Sequence, residues 1–326
     1  MMEKDILLEA YRLMCTADAM ATIYEANRNI CTYVHSTSRG HEAIQLATAF
    51  QLLPCDYVSP YYRDESLLLG LGFSPYQLML QLLAKKDDIF SGGREYYSHP
   101  SSRDKDKPTI IHQSSATGMQ VIPATGIAQG LQYLEKINSP IYRNGENAER
   151  PIVICSLGDA SLTEGEVSEA LQVAALKQLP IIYLVQDNNW GISVTASEAR
   201  SMNAYQYIKG FKGIKRVCLD GSDFFESYKG MRDVVREVRE TSQPYLVHAE
   251  VPLLGHHTSG VRKEFYRTDE ELEKSLERDP FAKLKLKLLH KGFSETELNE
   301  IETAAKEVVN NSFNEAVASA EPDPAD

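Results

Sequence analysis

Cysteine is scarce and unpatterned. The five residues, Cys15, Cys31, Cys55, Cys155 and Cys218, form no C-x-x-C pair and no Cys/His spacing of a zinc module. An odd, scattered set excludes a disulfide scaffold and reads as reduced thiols. No apolar run approaches the roughly 18 residues that a membrane-spanning helix needs, and Glu3, Lys4 and Asp5 at the start are unlike a secretory signal. Basic residues are outnumbered, 34 Lys and Arg against 46 Asp and Glu, for a formal net charge of -12. With no clustered Lys/Arg block, a nucleic-acid surface is excluded. Also missing are G-x-G-x-x-G and G-x-x-x-x-G-K, the dinucleotide and P-loop signatures, and the G-x-S-x-G nucleophile elbow. The expectation is a soluble, cytoplasmic chain with neither a nucleic-acid nor a membrane partner, which must meet any anionic ligand locally.

What is present is a succession of apolar runs separated by helical patterns. PIVICSL leads into Gly158-Asp159, a helix of good formers follows, and LPIIYLV ends in Asp187-Asn188-Asn189. IKRVCLDG and PYLVHAEVPL supply further strands on either side of the amphipathic DFFESYKGMRDVVREVRE. Alternation of this kind predicts an α/β fold, a doubly wound parallel sheet with helices on both faces. Asp159 and Asn188 then stand just past two strand ends, one crossover helix apart, at the carboxyl edge where open α/β sheets place ligands. A carboxylate and an amide oxygen are hard ligands suited to magnesium, which completes its octahedron with phosphate oxygens and water. The first reading is therefore a Mg-diphosphate site, against the alternative of a tight turn with a capping Asp. His256 and His257, after the last strand, emerge on the same edge.

Elsewhere the signals are more local. Ile6, Leu7, Ala10, Leu13, Met14, Ala17, Met20 and Tyr24 fall at helical spacing, predicting a helix that docks on the body or pairs with a partner. Arg63, just before a helix start, reads either as a phosphate clamp or as a surface residue paired with Asp64 or Glu65. Ser74-Pro75 and Asp279 are helix starts, and Ser294 with Glu297 resembles a capping box. The stretch from Asp87 to Gln113 lacks periodicity and reads as a lid or partner-contacting loop, with His99 on its surface. Gly126, Ala128 and Gly130 make a small-residue helix face that permits close approach.

Six motifs in order, GHEAIQ, YYRD, SGGR, SSATGMQ, GDASLTEG with DNNWGIS, and GHHTS, resemble those of the α subunit of thiamine diphosphate-dependent 2-oxo acid dehydrogenases, the decarboxylating first components of the pyruvate and branched-chain complexes. The resemblance runs from about Ser36 to about Arg267 and leans to the branched-chain (2-oxoisovalerate) type. It implies a thiamine diphosphate-binding fold over residues 36–268, preceded by a helical arm at 1–35 and followed by a helical extension and tail at 269–326. Asp159 and Asn188 would be the Mg2+ side-chain ligands, with the carbonyl of Trp190 as the third protein oxygen. Tyr62 and Arg63 would contact the diphosphate, Gly158, Ala160 and Ser161 would line the turn beside it, Ser115 and Thr117 would touch the aminopyrimidine end, and Ile192 would hold the bent cofactor. His257 would be the catalytic histidine, and His256 only a packed aromatic.

The pattern is not followed throughout. Ala160 stands where the family often has Gly; Gln186 and Leu253 stand where branched-chain relatives carry Arg, with Arg39 or Arg262 as candidate replacements; Thr258 occupies a position that animal relatives phosphorylate as Ser. No stretch resembles the pyrimidine-binding half, so the activating Glu would come from a β subunit in an α2β2 assembly, or from the fused other half of a longer protein. The implied activity is that of a 3-methyl-2-oxobutanoate dehydrogenase (2-methylpropanoyl-transferring), passing the acyl group to the lipoyl domain of an acyltransferase. Pyruvate or acetoin dehydrogenase α subunits, another transketolase-like enzyme, and a non-catalytic scaffold are the alternatives.

Overall fold

The computed structural model describes residues 3–112, 116–142 and 149–325. Helices α1 (Lys4–Ala26) and α2 (Glu42–Ala49) precede strand β1 (Tyr57–Ser59), helices α3 (Glu65–Gly70) and α4 (Pro75–Leu82), and strand β2 (Thr109–Ile110). Then come α5 (Val121–Lys136), β3 (Val153–Gly158), α6 (Gly165–Lys177), β4 (Ile181–Asp187), a small hairpin of β5 (Trp190–Gly191) and β6 (Val194–Thr195), and the short helices α7 (Ala196–Ala199) and α8 (Ala204–Tyr207). Strand β7 (Lys215–Asp220), α9 (Phe224–Thr241), β8 (Tyr245–Glu250), α10 (Asp269–Leu276), α11 (Pro280–His290) and α12 (Glu295–Ala318) complete the chain.

Six strands form one parallel sheet in the order β2-β1-β3-β4-β8-β7. The unbroken apolar runs of β3 and β4 are explained by burial on both faces. Val153, Cys155 and Leu157 point into a core shared with Ala124, Leu131 and Leu171 of α5 and α6, while Ile154, the residue between, packs on the other side with Met231 and Val235 of α9. The parallel α/β expectation holds, with β3 and β4 as neighbours in register from Val153↔Ile181 to Gly158↔Gln186.

A third core joins the outer helices. The apolar stripe of α1 is buried against α12, α3 and α11 of its own chain, with Tyr11 stacked on Phe281 at 5.4 Å and donating to Glu302 at 2.6 Å. The expected starts are present: Ser74 forms a capping box with Gln77, Asp279 accepts from Phe281, and Ser294 accepts from the Glu297 amide.

Two expectations for residues 87–113 need correction. Thr109–Ile110 forms a strand that extends the sheet beyond β1, too short for any period to register. His99 is buried rather than on the surface, because the loop folds back under Gln81, whose amide donates to the His99 carbonyl at 3.3 Å. The small-residue face of α5 is divided: Ala128 belongs to the core, whereas a Cβ added at Gly126 or Gly130 would meet nothing within 4 Å.

Candidate active site

The two central strands end side by side. Gly158, opposite Gln186, hands over to a turn of 3-10 helix beginning at Asp159, and β4 hands over from Asp187 to Asn188. Asp159 and Asn188 are both buried. Arg200 Nη2 reaches between the strand ends, 2.7 Å from Asp159 Oδ2 and 2.9 Å from Asp187 Oδ1. Desolvation, with the Asp187 charge, pushes the Asp159 carboxyl above its ordinary range, and Arg200 only partly opposes this. The site therefore presents a carboxylate that gains from any nearby cation.

Asn188 is oriented by a residue that sequence reasoning did not single out. His41, fully buried, has Nδ1 2.9 Å from Gln186 Oε1 and Nε2 3.3 Å from Asn188 Nδ2. Burial and the charge of Arg63 lower its pKa to about 3, so the ring is neutral. It donates from Nδ1 to Gln186, and its Nε2 accepts from the Asn188 amide. That fixes the Asn188 amide nitrogen toward the interior, while its Oδ1 accepts from the Trp190 backbone N–H at 3.0 Å. Gln186 itself is fully buried: its Oε1 also accepts from Gln45 at 2.9 Å, and its amide donates to Asp64 at 2.7 Å and Ser156 at 2.9 Å. A glutamine at this position is thus the hub of a saturated network. The one sequence signal for His41 was its place in the GHEAIQ motif.

Arg63 is also fully buried, which removes the surface-pair reading. Its guanidinium donates to carbonyls, those of Thr37 and His256 at 3.4 Å and of His257 at 3.1 Å. Its Nε has no hydrogen-bond partner, and among the described residues it forms no ion pair. The His257 ring packs edge-on to Tyr62 at 6.0 Å, and burial together with Arg63 lowers its pKa to about 4. Tyr62, Thr117, Ser161 and His257 line one cavity of about 310 Å³, walled on the far side by Tyr97 and His99. Four of the expected residues are thereby brought together.

Others face a second, larger cleft. Asn188 and Trp190 line a space of about 850 Å³ with Arg200, His248 and Arg267. Arg267 is buried, lies 5.3 Å over the Trp190 ring, donates to the Leu253 carbonyl at 2.7 Å, and has an unpartnered Nε. Among the described residues it too lacks an ion pair. It is a better-placed cation than Arg39 or Arg262, which sequence comparison suggested: Arg39 is tied to Asp18 and Asp279, and Arg262 to Glu25 at 2.6 Å. Leu253 is buried and contributes its backbone oxygen instead of a charge. His256 is not packed as an aromatic but lies among charges, 3.6 Å from Glu264 and 3.8 Å from Glu25.

Ile192 lines neither space. It is 52% exposed at the tip of the β5–β6 hairpin with φ of +58°, a conformation that a β-branched residue adopts at a cost of about 1–3 kcal/mol and that is concentrated at functional sites. Gly158 lies under the Tyr61 ring, where an added Cβ would sit 3.4 Å from it, and the Ala160 methyl is 3.3 Å from where a Cβ on Gly191 would stand. The extra methyl at Ala160 is thus accommodated by the glycine facing it. Ser115 lies outside the described residues. Among the described residues, no helix is long and apolar enough to cross a membrane.

The sheet is thus a parallel α/β sheet with hard oxygen donors at its carboxyl edge, where open α/β sheets place ligands, and with two buried arginines, Arg63 and Arg267, that form no ion pair among the described residues. The chain belongs to the dehydrogenase E1 component family, whose pattern matches residues 11–325. It is 29% identical over 270 residues to 2-oxoisovalerate dehydrogenase subunit alpha 1, mitochondrial, of Arabidopsis thaliana, covering 82% of this chain and 53% of that one. It is 30% identical to 2-oxoisovalerate dehydrogenase subunit alpha of Bacillus subtilis (87% and 83% covered) and 30% identical to pyruvate dehydrogenase E1 component subunit alpha of Rickettsia bellii (83% and 78% covered). The chain spans about half the length of the Arabidopsis relatives.

Proposed function

We propose that this chain is the α subunit of a 2-oxo acid dehydrogenase that binds Mg-thiamine diphosphate and, with a β subunit, decarboxylates a branched-chain 2-oxo acid and passes the acyl group to a lipoyl domain. The observation that carries the reading is the pair Arg63 and Arg267, two buried guanidiniums without a carboxylate partner among the described residues, on the sheet edge that also carries the buried Asp159, whose charge Arg200 only partly offsets. A buried charge left unpaired costs several kcal/mol, and a diphosphate carrying a divalent metal satisfies both requirements. The donor set fits the group. Asp159, Asn188 and the Trp190 carbonyl would hold Mg2+, and Arg63 with Tyr62 would hold the diphosphate. Thr117 and Ser161, on the cavity that His257 lines, would bound the cofactor's reactive end.

When bound, thiamine diphosphate would supply the nucleophilic carbon and the electron sink that decarboxylation of a 2-oxo acid needs. His41 holds the Asn188 amide with its oxygen outward, and Tyr62 holds the His257 ring. His257, neutral at working pH, can accept a hydrogen bond or a proton where charge develops in the cavity. The cavity's tyrosines, Tyr61, Tyr62, Tyr96 and Tyr97, keep water from its apolar side. The activating carboxylate would come from the β partner, because no residue of this chain resembles the pyrimidine-binding half.

Relatives named for 2-oxoisovalerate and for pyruvate match at similar identity, and the GHHTS motif supports the branched-chain substrate. The test is reconstitution with the matching β subunit and comparison of rates on 3-methyl-2-oxobutanoate, pyruvate and acetoin. Preference for the first is expected. Turnover by this chain alone, or no Mg-dependent thiamine diphosphate binding in the assembled protein, would sink the reading.

A further inference from the structure

Away from the proposed cofactor ligands, the edge of the sheet carries a second donor cluster. Cys218 on β7 pairs in register with His248 on β8, and Asp220 with Glu250. Residues two apart on a strand share a face, so Cys218, His248 and Glu250 stand on the same side of this strand pair. The Cys218 sulfur, one His248 ring nitrogen and a Glu250 carboxylate oxygen all lie within 4.8 Å of one another. A tetrahedral zinc ion with Zn–S near 2.3 Å and Zn–N near 2.0 Å needs its ligand atoms roughly 3.5 Å apart. Side-chain rotation of exposed Cys218 and Glu250 can close that gap onto a fixed imidazole.

The imidazole is the independent observation. His248 is 1% exposed, and its Nδ1 has no hydrogen-bond partner. Its Nε2 is 3.8 Å from Asp187 and 3.9 Å from Glu250, both beyond hydrogen-bonding reach. Nε2, the nitrogen that faces Glu250, thus forms no hydrogen bond among the described residues, and a buried ring nitrogen left unsatisfied costs about 1–3 kcal/mol, so it is free to take a ligand on the side where Glu250 lies. Burial also lowers its pKa, which keeps it in the neutral, ligating form. Desolvation and the charges of Glu250, Glu226 and Asp187 push the Cys218 thiol up, and that negative surround favours a cation.

We infer that Cys218, His248 and Glu250 form a binding site for a thiophilic divalent cation such as zinc, opening on the larger cleft that His248 and Glu250 line. Three protein ligands leave the fourth position to water. Thiolate, imidazole and carboxylate together select zinc over magnesium, so the site is chemically distinct from Asp159 and Asn188. On binding, the Cys218 S–H bond breaks, its proton passes to solvent, and a sulfur–metal bond forms with no change of oxidation state.

The test uses the full chain stripped of metal with chelator. Zinc is titrated against a chromophoric competitor, and cobalt(II) in parallel, since thiolate ligation gives cobalt a charge-transfer band. One equivalent is expected, with the band present. Cys218→Ser should abolish the band and lower zinc affinity at least about 100-fold, and His248→Gln should do the same, while Asp159→Asn leaves both intact. Because Cys218 is exposed, its variant should melt like the parent. The inference is overturned if no stoichiometric zinc binds, or if the cobalt band survives Cys218→Ser.

Discussion

Arg200 Nη2 lies 2.7 Å from Asp159 Oδ2, a buried ion pair formed across the gap between two parallel strand ends. The guanidinium stands where the family's metal chemistry is expected, and it offsets the burial of two carboxylates that the sheet forces together.

Removing this cation exposes the cost. Arg200→Met should destabilise the fold by about 3–5 kcal/mol, since it leaves the buried Asp159 and the partly buried Asp187 side by side without compensation. Denaturant unfolding should recover part of that loss when Mg2+ and thiamine diphosphate are added, because the metal would take over the neutralisation. No recovery would mean that Asp159 is not a metal ligand.

Metal holding and chemistry should separate by mutation. Asp159→Ala should abolish Mg-dependent cofactor binding in calorimetry. His257→Ala in the reconstituted assembly should leave that binding within about threefold while kcat falls about 100-fold or more. Equal loss of binding in both variants would contradict the assigned roles.

A pH dependence is built into the wall of the smaller cavity. Glu65 is fully buried beside the Tyr97 hydroxyl, which donates to it, and desolvation pushes its pKa from 4.5 to about 8. The folded state therefore holds a proton that the unfolded state has released. The stability from neutral Glu65 is fully present below pH 4.5 and falls as pH rises to about 8. Glu65→Gln, which mimics the protonated acid, should match the parent in urea unfolding at about pH 5 and exceed it by a few kcal/mol at about pH 8.5. A parent whose stability does not fall relative to the variant over that range would rule this out.

The Gln186 network should be costly to break. Gln186→Met fits the volume but removes one hydrogen bond each from Asp64, Gln45, Ser156 and the His41 N–H, and a loss of about 3 kcal/mol in unfolding free energy is expected. Asn188, no longer held by an oriented His41, should also lose Mg2+ affinity, read directly by calorimetry.

The sequence by itself determined the parallel sheet, the strand ends that carry Asp159 and Asn188, the helix caps at Ser74, Asp279 and Ser294, and the family. Each of these is written in local order, as apolar runs, cap residues and contiguous motifs, so a linear reading reaches them. Tertiary structure alone decided the rest. It decided between the two readings of Arg63 by burying it, since burial depends on what α2 and the GHHTS loop lay over it. It made His41 the residue that orients Asn188, though they are 147 positions apart, and it tied Arg39 and Arg262 into ion pairs while leaving the buried Arg267 without one among the described residues. Cys218 and His248, 30 residues apart by their numbering and without any metal-binding spacing, became neighbours because parallel pairing sets β7 beside β8 in register. Proximity across a sheet follows from strand order, and strand order is fixed by how the helices pack, not by spacing along the chain.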